Sequence, residues 1–389
     1  MPHLLLISNG HGEDAIGARL AGALRAEGCT LEALAIVGAG RAYAACDVAL
    51  AGPAVVLPSG GFIQGRPREL MRDLRQGLLG LTRAQWAAVR AGRARWDGVL
   101  AIGDVVPLAF AGASGRPYGF VGCAKSDWHR GGRPGSYGWL ERWLLRRAAC
   151  LGVWPRDPLT TDHLRAAGVR AAWLGNPMMD GLTPTRRLPG VGGGEAEATD
   201  EPGARVPETV LLLPGSRAEA PRNLALLAEV VRRLQHPGRR FLAALGDAPE
   251  ALAWVPAGWT KVEGPGLMHP DGARIGLVWG AFAEALQAAD VVLAMAGTAT
   301  EQAVGLGKPA VTLPGPGPQF TRSFAQAQGR LLGEAVWVAS GPDEAAGRVA
   351  ALLAAPAERL RLGALGQARL GPAGASARIA RAFVSALQP

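Results

Sequence analysis

The sequence VVLAMAGTATEQA, residues 291–303, has the pattern of a buried strand followed by a tight turn and a helix. Its apolar opening run is typical of a strand inside a parallel sheet. Gly297 and Thr298 form the turn, and Glu301 falls in the first turn of an Ala-rich helix. The first N–H groups of a helix have no partner within it, so they are available to an anion such as a diphosphate. The stretch therefore predicts an α/β fold with an anion site at the start of this helix.

The residues that follow complete one strand–helix–strand unit. Residues 307–314 are predicted as the next strand, and the polar loop at 315–320 contains Gln319. Glu301 lies where its carboxylate could accept two hydrogen bonds from the hydroxyl groups of a ribose. The alternative is that Glu301 only complements the positive end of the helix dipole.

A second strand-to-turn element precedes this unit, in LLLPGSR at residues 211–217. Gly215 and Ser216 are small enough to let the backbone approach a phosphate. Arg217 would add a charged, forked hydrogen-bond donor. The alternative is an ordinary strand-to-helix turn with a surface arginine.

Strands alternate with helices along almost the whole chain, which is the pattern of a doubly wound parallel sheet. Strands are predicted at 4–8, 31–37, 98–102, 118–121, 150–153, 172–174, 209–213, 240–245, 275–278 and 290–295, and helices at 13–27, 219–234 and 281–288.

A segment rich in Pro, Gly and Glu interrupts this alternation at 183–207 and is predicted as a flexible linker or loop. It separates an N-terminal domain, 1–182, from a C-terminal domain, 208–389, whose last helices either stay with it, cross back or meet a second subunit. The sequence thus predicts two Rossmann-like doubly wound parallel-sheet domains that face a crevice, with ligands beyond the carboxyl ends of the strands.

The loop after the first strand, SNGHGED at residues 8–14, concentrates groups that can take a proton from a hydroxyl, namely His11, Glu13 and Asp14. Asp104 follows the strand at 98–102 and is a further candidate. The alternative is that these carboxylates only cap helices. The loop is a poor dinucleotide fingerprint, because its glycine spacing is wrong and its acidic pair would repel a pyrophosphate, which excludes an NAD enzyme.

The composition describes a well-buried globular protein, with 49% hydrophobic and 19% charged residues among 389. The formal net charge of +9 fits either a solvated basic surface or one that meets anionic lipid or a phosphorylated substrate. Nucleic acid is not an expected partner, because no recognised nucleic-acid module is found. The six histidines are scattered and the four cysteines form no C-x-x-C pair, so we expect no metal site and a reduced, cytoplasmic protein.

Two segments fit a membrane surface. Tryptophan and arginine are frequent between 128 and 154, which suits lipid headgroups, a pocket for an acyl or phosphate-bearing acceptor, or plain core packing. The stretch at 66–86 is basic and amphipathic. The longest apolar run, 99–113, is interrupted by Asp104 and Pro107 and is too short to span a bilayer, so any membrane contact is expected to be peripheral, at the inner face of the cytoplasmic membrane.

The chain resembles the lipid-A-disaccharide synthase family, and most of all its divergent branch, which is called lipid-A-disaccharide synthase-related. The resemblance rests on the motifs SNGHGED at 8–14, LGNPMMD at 174–180, LPGSR at 213–217, GTATE at 297–301 and GPGPQF at 315–320. It covers nearly the whole chain. More distantly, residues 278–319 are similar to the donor segment of the membrane-associated GlcNAc transferase of peptidoglycan synthesis.

The resemblance implies a GT-B glycosyltransferase fold whose C-terminal half binds a UDP-sugar. The loop ending at Phe282 would flank the uracil, Glu301 would bind the ribose and Gln319 the donor sugar. The donor-binding residues are then expected to be Gly215, Ser216, Arg217, Phe282, Gly297, Thr298, Thr300, Glu301 and Gln319.

The expected activity is that of an inverting, metal-independent glycosyltransferase that requires no cofactor. It would move a sugar from a UDP-sugar, such as UDP-GlcNAc or an acylated UDP-glucosamine, to a lipid-linked or membrane-associated acceptor. Two alternatives remain open: a UDP-sugar epimerase on the same fold, and a non-catalytic protein that binds a nucleotide or lipid. The sequence leaves the oligomeric state open.

Overall fold

The computed structural model describes residues 1–55, 77–185, 188, 207–216, 218–246, 255–315, 317 and 320–388. The chain divides into two compact units, of which the first contains Met1–Asp180 with Pro372–Pro389 and the second contains Gly181–Gly371. The last helix belongs to the first unit, which is one of the alternatives that the sequence leaves open for it. Most of the predicted linker, 183–207, lies outside the described residues.

The first unit is built on a parallel sheet. Its strands are β1 (His3–Ser8), β2 (Thr30–Ala35), β3 (Ala49–Leu50), β4 (Gly98–Ile102), β5 (Tyr118–Gly122) and β6 (Cys150–Pro155). They are arranged in the order β3-β2-β1-β4-β5-β6, and every pair of neighbours is parallel.

The helices of the first unit connect and cover these strands. They are α1 (His11–Ala26), α2 (Arg41–Ala44), α3 (Leu78–Gly92), α4 (Val105–Ala113), α5 (Trp139–Arg146) and α6 (Pro158–Ala166), with short 3-10 helices at Arg93–Arg95, Asp127–Arg130 and Pro177–Met179. The helix nearest the C-terminus, labelled α13 below, completes the unit.

Both faces of this sheet are covered, which explains why its strands are apolar runs. Leu4 and Leu6 of β1 lie in one core cluster, together with Phe383 from the last helix. Leu5 and Ile7 point the other way into a second cluster. The alternation of the strand thus places successive leucines in two separate cores.

The second unit contains an eight-stranded sheet. Its strands are β7 (Glu208–Leu213), β8 (Arg239–Leu245), β9 (Thr260–Lys261), β10 (Gly266–Met268), β11 (Arg274–Trp279), β12 (Val291–Ala294), β13 (Ala310–Thr312) and β14 (Val336–Val338). The order is β14-β13-β12-β7-β8-β11-β10-β9.

The remaining helices are α7 (Ala220–Leu234), α8 (Phe282–Ala288), α9 (Thr298–Gly305), α10 (Arg322–Leu332), α11 (Pro342–Leu353), α12 (Pro356–Leu370) and α13 (Ala375–Leu387), with a 3-10 helix at Gly333–Ala335. Among the residues that the structure describes, no helix is both long and apolar enough to cross a membrane.

The fold class is as predicted, and the structure differs from the sequence predictions in two details. The second sheet is not entirely parallel, because β10 pairs antiparallel with both β9 and β11. The connections between these three strands are only a few residues long, and a parallel pair needs a much longer crossover. The strand predicted at 172–174 does not form; the chain makes a single bridge there, between Ala171 and Val153.

Both sheets contain a point at which the strand order reverses. In the first unit, successive strands are added outward from β1 in one direction and outward from β4 in the other. In the second unit, β13 and β14 extend outward from β12, whereas β8 and then β11, β10 and β9 lie on the other side, next to β7. In open α/β sheets, ligands bind beyond the carboxyl ends of the strands at such a switch point. The predicted site motifs at 8–14, 104, 215–217 and 297–301 follow these four strands.

Asp180 anchors the returning C-terminal helix to the first unit. Its Oδ1 accepts hydrogen bonds from the backbone N–H groups of Gly374, at 2.5 Å, and Ala375, at 3.1 Å, and its Oδ2 accepts one from Ser376 at 2.7 Å. These are N–H groups at the start of α13, which have no partner within the helix. The negative charge also suits the positive end of the helix dipole.

We expect Asp180→Ala to lower the free energy of unfolding by about 1–2 kcal/mol, because three backbone donors lose their acceptor. Chemical denaturation followed by circular dichroism measures this loss. Asp180→Asn, which retains one acceptor oxygen, should lose less. An unfolding midpoint of Asp180→Ala equal to that of the parent protein would contradict the capping role.

Candidate functional site

The turn after β7 brings two backbone segments of the second unit close together. Gly215 has a φ of +93°, and a β-carbon there would lie 3.5 Å from the carbonyl oxygen of Met295, at the end of β12. Gly246, just after β8, is restricted by space instead, since a β-carbon there would lie 3.0 Å from that of Ser216. Ser216 itself is exposed. Glycine therefore permits the close approach of the turns that end these three neighbouring strands.

The second turn leads from β12 into α9. Gly297 is the residue before the helix, and no side chain caps it. Thr298 is exposed, whereas Thr300 is fully buried and its hydroxyl donates to the carbonyl oxygen of Ala296 at 2.6 Å. The side chain of Thr300 thus holds the turn from inside. The N–H groups of the first helical turn remain the groups that can meet a ligand.

Two buried amide side chains fix these turns, and the sequence analysis missed both. Asn223 of α7 donates through Nδ2 to the carbonyl oxygens of Pro214, at 2.9 Å, and Met295, at 3.5 Å. Gln328 of α10 donates through Nε2 to those of Ala296, at 3.2 Å, and Gly297, at 2.9 Å. The signal in the sequence is a single polar residue within the buried stripe of an amphipathic helix.

The other predicted donor residues fall into two groups. Glu301 and Phe282 are half-buried, in the first turns of α9 and α8 respectively. Both helices follow strands of the same sheet. Arg217 and Gln319 lie outside the described residues.

In the first unit, the end of β1 holds a buried chain of hydrogen bonds. Ser8 Oγ donates to Asp14 Oδ1 at 2.5 Å and lies 2.7 Å from the hydroxyl of Tyr43, which must then be the donor to Ser8. Burial raises the pKa of Asp14 above its ordinary value, while the bond from Ser8 acts in the opposite direction. Gly17 makes room for Tyr43, because a β-carbon would lie 2.7 Å from the tyrosine Cζ. Tyr43 was not predicted as a site residue.

Glu13 is the carboxyl group with the most unusual environment in this loop. Burial is the largest cause that raises its pKa, to about 7, and the charges of Asp104 and Asp14 add to the rise. Gly103 makes this position possible: its φ is +123°, and a β-carbon there would lie 3.0 Å from Glu13 Cγ. A carboxyl group that titrates near neutrality is suited to both accepting and donating a proton.

Asp104 lies at the start of α4, where its Oδ1 accepts from the backbone N–H of Val106 at 2.9 Å. The amide of Asn9 donates to both Asp104 oxygens at 3.4 Å, which links the loops after β1 and β4. Asp104 therefore does cap a helix, and its negative charge also raises the pKa of Glu13.

His11 is exposed at the first position of α1. A β-carbon on Gly38 would lie 3.7 Å from His11 Cε1 and 3.8 Å from Asp14 Oδ2, so both side chains face the turn after β2. The structure thus brings His11, Glu13, Asp14 and Asp104 to adjacent loops at one switch point.

The sequence analysis also missed Arg156, a buried cation at the end of β6. It is 6% exposed and its Nη1 donates to the carbonyl oxygen of Cys123 at 2.9 Å. Its positive charge partly opposes the rise in the Glu13 pKa. Arg156 could have been predicted from the sequence, because it directly follows a buried strand. Asp104, which was predicted, lies two residues after such a strand. Among the described residues there is no group of His, Cys, Asp and Glu side chains that could hold a metal ion.

Two α/β units, each with a switch point between its first and fourth main strands, form the architecture known as the GT-B fold. The comparisons with solved structures establish this fold. No protein-family profile matches the sequence. MurG of Acinetobacter baumannii is similar with a TM-score of 0.62, at 15% identity, over 99% of this chain and 100% of that one. The glycotransferase of kitacinnamycin is similar with a TM-score of 0.60, at 16% identity, over 100% of both chains.

Two further similarities are to a UDP-GlcNAc 2-epimerase and to a lipid-A-disaccharide synthase. The UDP-GlcNAc 2-epimerase of Neisseria meningitidis, solved with bound UDP-GlcNAc, matches with a TM-score of 0.54, at 12% identity, over 98% of this chain and 100% of that one. The lipid-A-disaccharide synthase of Cupriavidus pinatubonensis is 31% identical over 157 residues, which are 40% of this chain. The matching part spans about a third of that relative, 35% of its length.

We expect the stability of the protein to fall as the pH rises from about 4.5 to about 7, because the folded state retains a proton on Glu13 that the unfolded chain has already released. Glu13→Gln should remove this component. Well above pH 7 the variant should be more stable than the parent by about 3 kcal/mol, and below pH 4.5 the two should coincide.

Urea denaturation across this pH range measures the difference. Glu263→Gln, at an exposed position in the second unit, is the control and should leave the pH dependence unchanged. Parallel pH profiles for the parent and Glu13→Gln would show that Glu13 is not held protonated.

Proposed function

We propose that the protein is a glycosyltransferase that uses a UDP-sugar as donor. The observation that carries this proposal is the pair of turns at Gly215 and Gly297, which end the neighbouring strands β7 and β12 at a switch point. The buried side-chain amides of Asn223 and Gln328 donate hydrogen bonds to backbone carbonyl oxygens of these turns. Backbone N–H groups at the start of the following helix can then bind an anionic ligand.

The donor assignment draws further support from similar proteins. A UDP-GlcNAc 2-epimerase with this fold was solved with UDP-GlcNAc bound. In our proposal, the N-terminus of α9 at Gly297 and Thr298 binds the diphosphate, together with Gly215, Ser216 and Arg217. Glu301 binds the ribose, Phe282 flanks the base, and Gln319 contacts the sugar. Thr300 acts only by holding the turn, because its hydroxyl is used internally.

The chemistry that we propose is a single in-line displacement. The hydroxyl oxygen of the acceptor attacks the anomeric carbon while the bond from that carbon to the UDP oxygen breaks, which inverts the configuration. The acceptor proton passes to a carboxylate in the loop after β1, and Glu13 is the best candidate because its pKa is about 7. The charge that develops on UDP is stabilised by the helix N-terminus and Arg217 rather than by a metal ion.

The acceptor in this proposal is a lipid-linked or membrane-associated sugar, and the protein works as a peripheral protein at the inner face of the cytoplasmic membrane. The similarity to a lipid-A-disaccharide synthase supports this choice of acceptor. The net charge of +9 is favourable for contact with anionic lipid.

A UDP-sugar epimerase is the second candidate, and the similarity to a UDP-GlcNAc 2-epimerase favours it. An epimerase needs acid and base groups next to the donor sugar and no acceptor. A protein that only binds nucleotide or lipid would release no UDP and would not depend on Glu13.

We expect UDP and UDP-sugars to stabilise the protein against heat, whereas GDP, ADP and NAD should not. A ligand at a hundred times its dissociation constant adds about 2.7 kcal/mol to the free energy of unfolding. Glu301→Ala should abolish this stabilisation. Glu334→Ala, which removes an exposed carboxylate of the same unit, is the matched control. Stabilisation by none of these nucleotides would rule out the proposed donor site.

We expect kcat/KM for sugar transfer to rise with pH through about 7, as Glu13 loses its proton. Glu13→Gln should remove this rise and slow transfer by about 100-fold or more. Asp104→Asn retains a helix-capping side chain but removes a neighbouring negative charge, so the rise should move to lower pH.

The measurement is UDP release from UDP-GlcNAc, with and without a lipid-linked sugar acceptor, together with analysis of the sugar product. UDP release that requires the acceptor supports transfer. Conversion of the sugar without any acceptor would favour the epimerase, and a Glu13→Gln profile like that of the parent would exclude Glu13 as the base.

A further inference from the structure

Helix α5 (Trp139–Arg146) of the first unit presents large apolar side chains to solvent. Trp139 is 77% exposed and Trp143 is 55% exposed, and Leu140 beside them is 40% exposed. Trp139 and Trp143 are four residues apart, so they lie on the same side of the helix. The buried side of α5 is formed by other residues, Leu144 and Leu145.

Trp139 is not held by the protein in the way that another exposed tryptophan is. Trp337, in the second unit, donates its indole N–H to Glu344 at 3.0 Å and has the guanidinium of Arg348 4.8 Å above its ring. Trp139 has neither kind of contact within the described part of the chain. The exposed indole surface of this helix is therefore available for contact with another molecule or a membrane.

The charge of the same helix is entirely positive on its exposed side. Arg146 and the adjoining Arg147 are exposed, and the guanidinium of Arg147 lies 5.2 Å from the ring of Trp143. The one carboxylate of α5, Glu141, is buried and is paired with Lys125 at 2.7 Å. Glu141 also accepts the backbone N–H of Gly138, so it serves the interior of the unit.

We propose that the Trp-Arg face, defined as Trp139, Leu140, Trp143, Arg146 and Arg147, docks on an anionic lipid bilayer. Tryptophan prefers the level of the lipid headgroups, because its ring is apolar and its N–H is polar. Arginines beside it reach the headgroup phosphates and leave their stems on the apolar surface. This inference rests on the proposed function in one respect, since a lipid-linked acceptor has to be met at a bilayer.

A bilayer fits this face better than a second copy of the chain does. An eight-residue helix is only about 12 Å long, whereas a stable protein interface buries about 800 Å² on each partner. A copy of the same face would also place arginines against arginines. The net charge of +9 of the whole chain adds attraction for anionic lipid at long range.

The experiment is sedimentation of the full chain with vesicles, at low and high salt. One set of vesicles contains phosphatidylglycerol and phosphatidylcholine in equal parts, and the other contains phosphatidylcholine alone. We expect binding to the anionic vesicles that weakens as salt is raised. The double variant Trp139→Ser/Trp143→Ser should bind about ten-fold more weakly, since less apolar area is buried in the interface. Arg146→Gln/Arg147→Gln should weaken the preference for anionic vesicles, while the remaining positive charge of the chain keeps part of it.

Trp337→Ser is the matched control and should bind vesicles like the parent. Unchanged thermal stabilisation by UDP would show that each variant is folded and would test the donor site separately from the docking face. Three results would overturn the inference: no binding of the parent to either kind of vesicle, equal binding by the tryptophan variant, or a dimer without vesicles that the tryptophan substitutions dissolve. Vesicle binding without any sugar transfer would uphold the docking face and count against the proposed function.

Discussion

The carboxyl ends of parallel strands lie together at one edge of a sheet, so the loops that follow neighbouring strands lie side by side there. The structure depends on this constraint twice. In the first unit, β1 and β4 end side by side and place the loops at Glu13 and Asp104 together. In the second unit, β7 and β12 do the same for the turns at Gly215 and Gly297. The order of the strands thus determines which loops lie close enough together to contact the same ligand.

The switch points of the two units bring together different kinds of polar group. In the second unit, the buried side-chain amides of Asn223 and Gln328 donate to backbone carbonyl oxygens of the turns after β7 and β12. The first unit collects carboxylates, and burial beside other acids favours their protonated forms, most of all for Glu13. In both units glycine makes the close packing possible, at Gly215 and at Gly103.

Much of the fold follows from apolar runs that end in small or polar residues. The strand at 98–102 was predicted exactly, because Gly98–Ile102 is buried along its whole length. The hairpin strands β9 and β10 were missed, since strands of two or three residues leave no periodic signal. The candidate loops could be found from their positions after strands. Tyr43 could not, because it acts on Ser8, which is distant in the sequence, and only the folded chain brings the two together.

The return of the chain to the first unit has a consequence for the order of folding during synthesis. The face of the first sheet that contains Leu4 and Leu6 is covered in part by Phe383, near the end of the chain. A ribosome has therefore released the whole second unit before the helix Ala375–Leu387 can bind Asp180. Until then, the part of this apolar face that the last helix covers remains exposed to water. Exposed apolar surface of this kind is prone to aggregate and is bound by chaperones. The second unit, formed from one continuous segment, can fold without waiting.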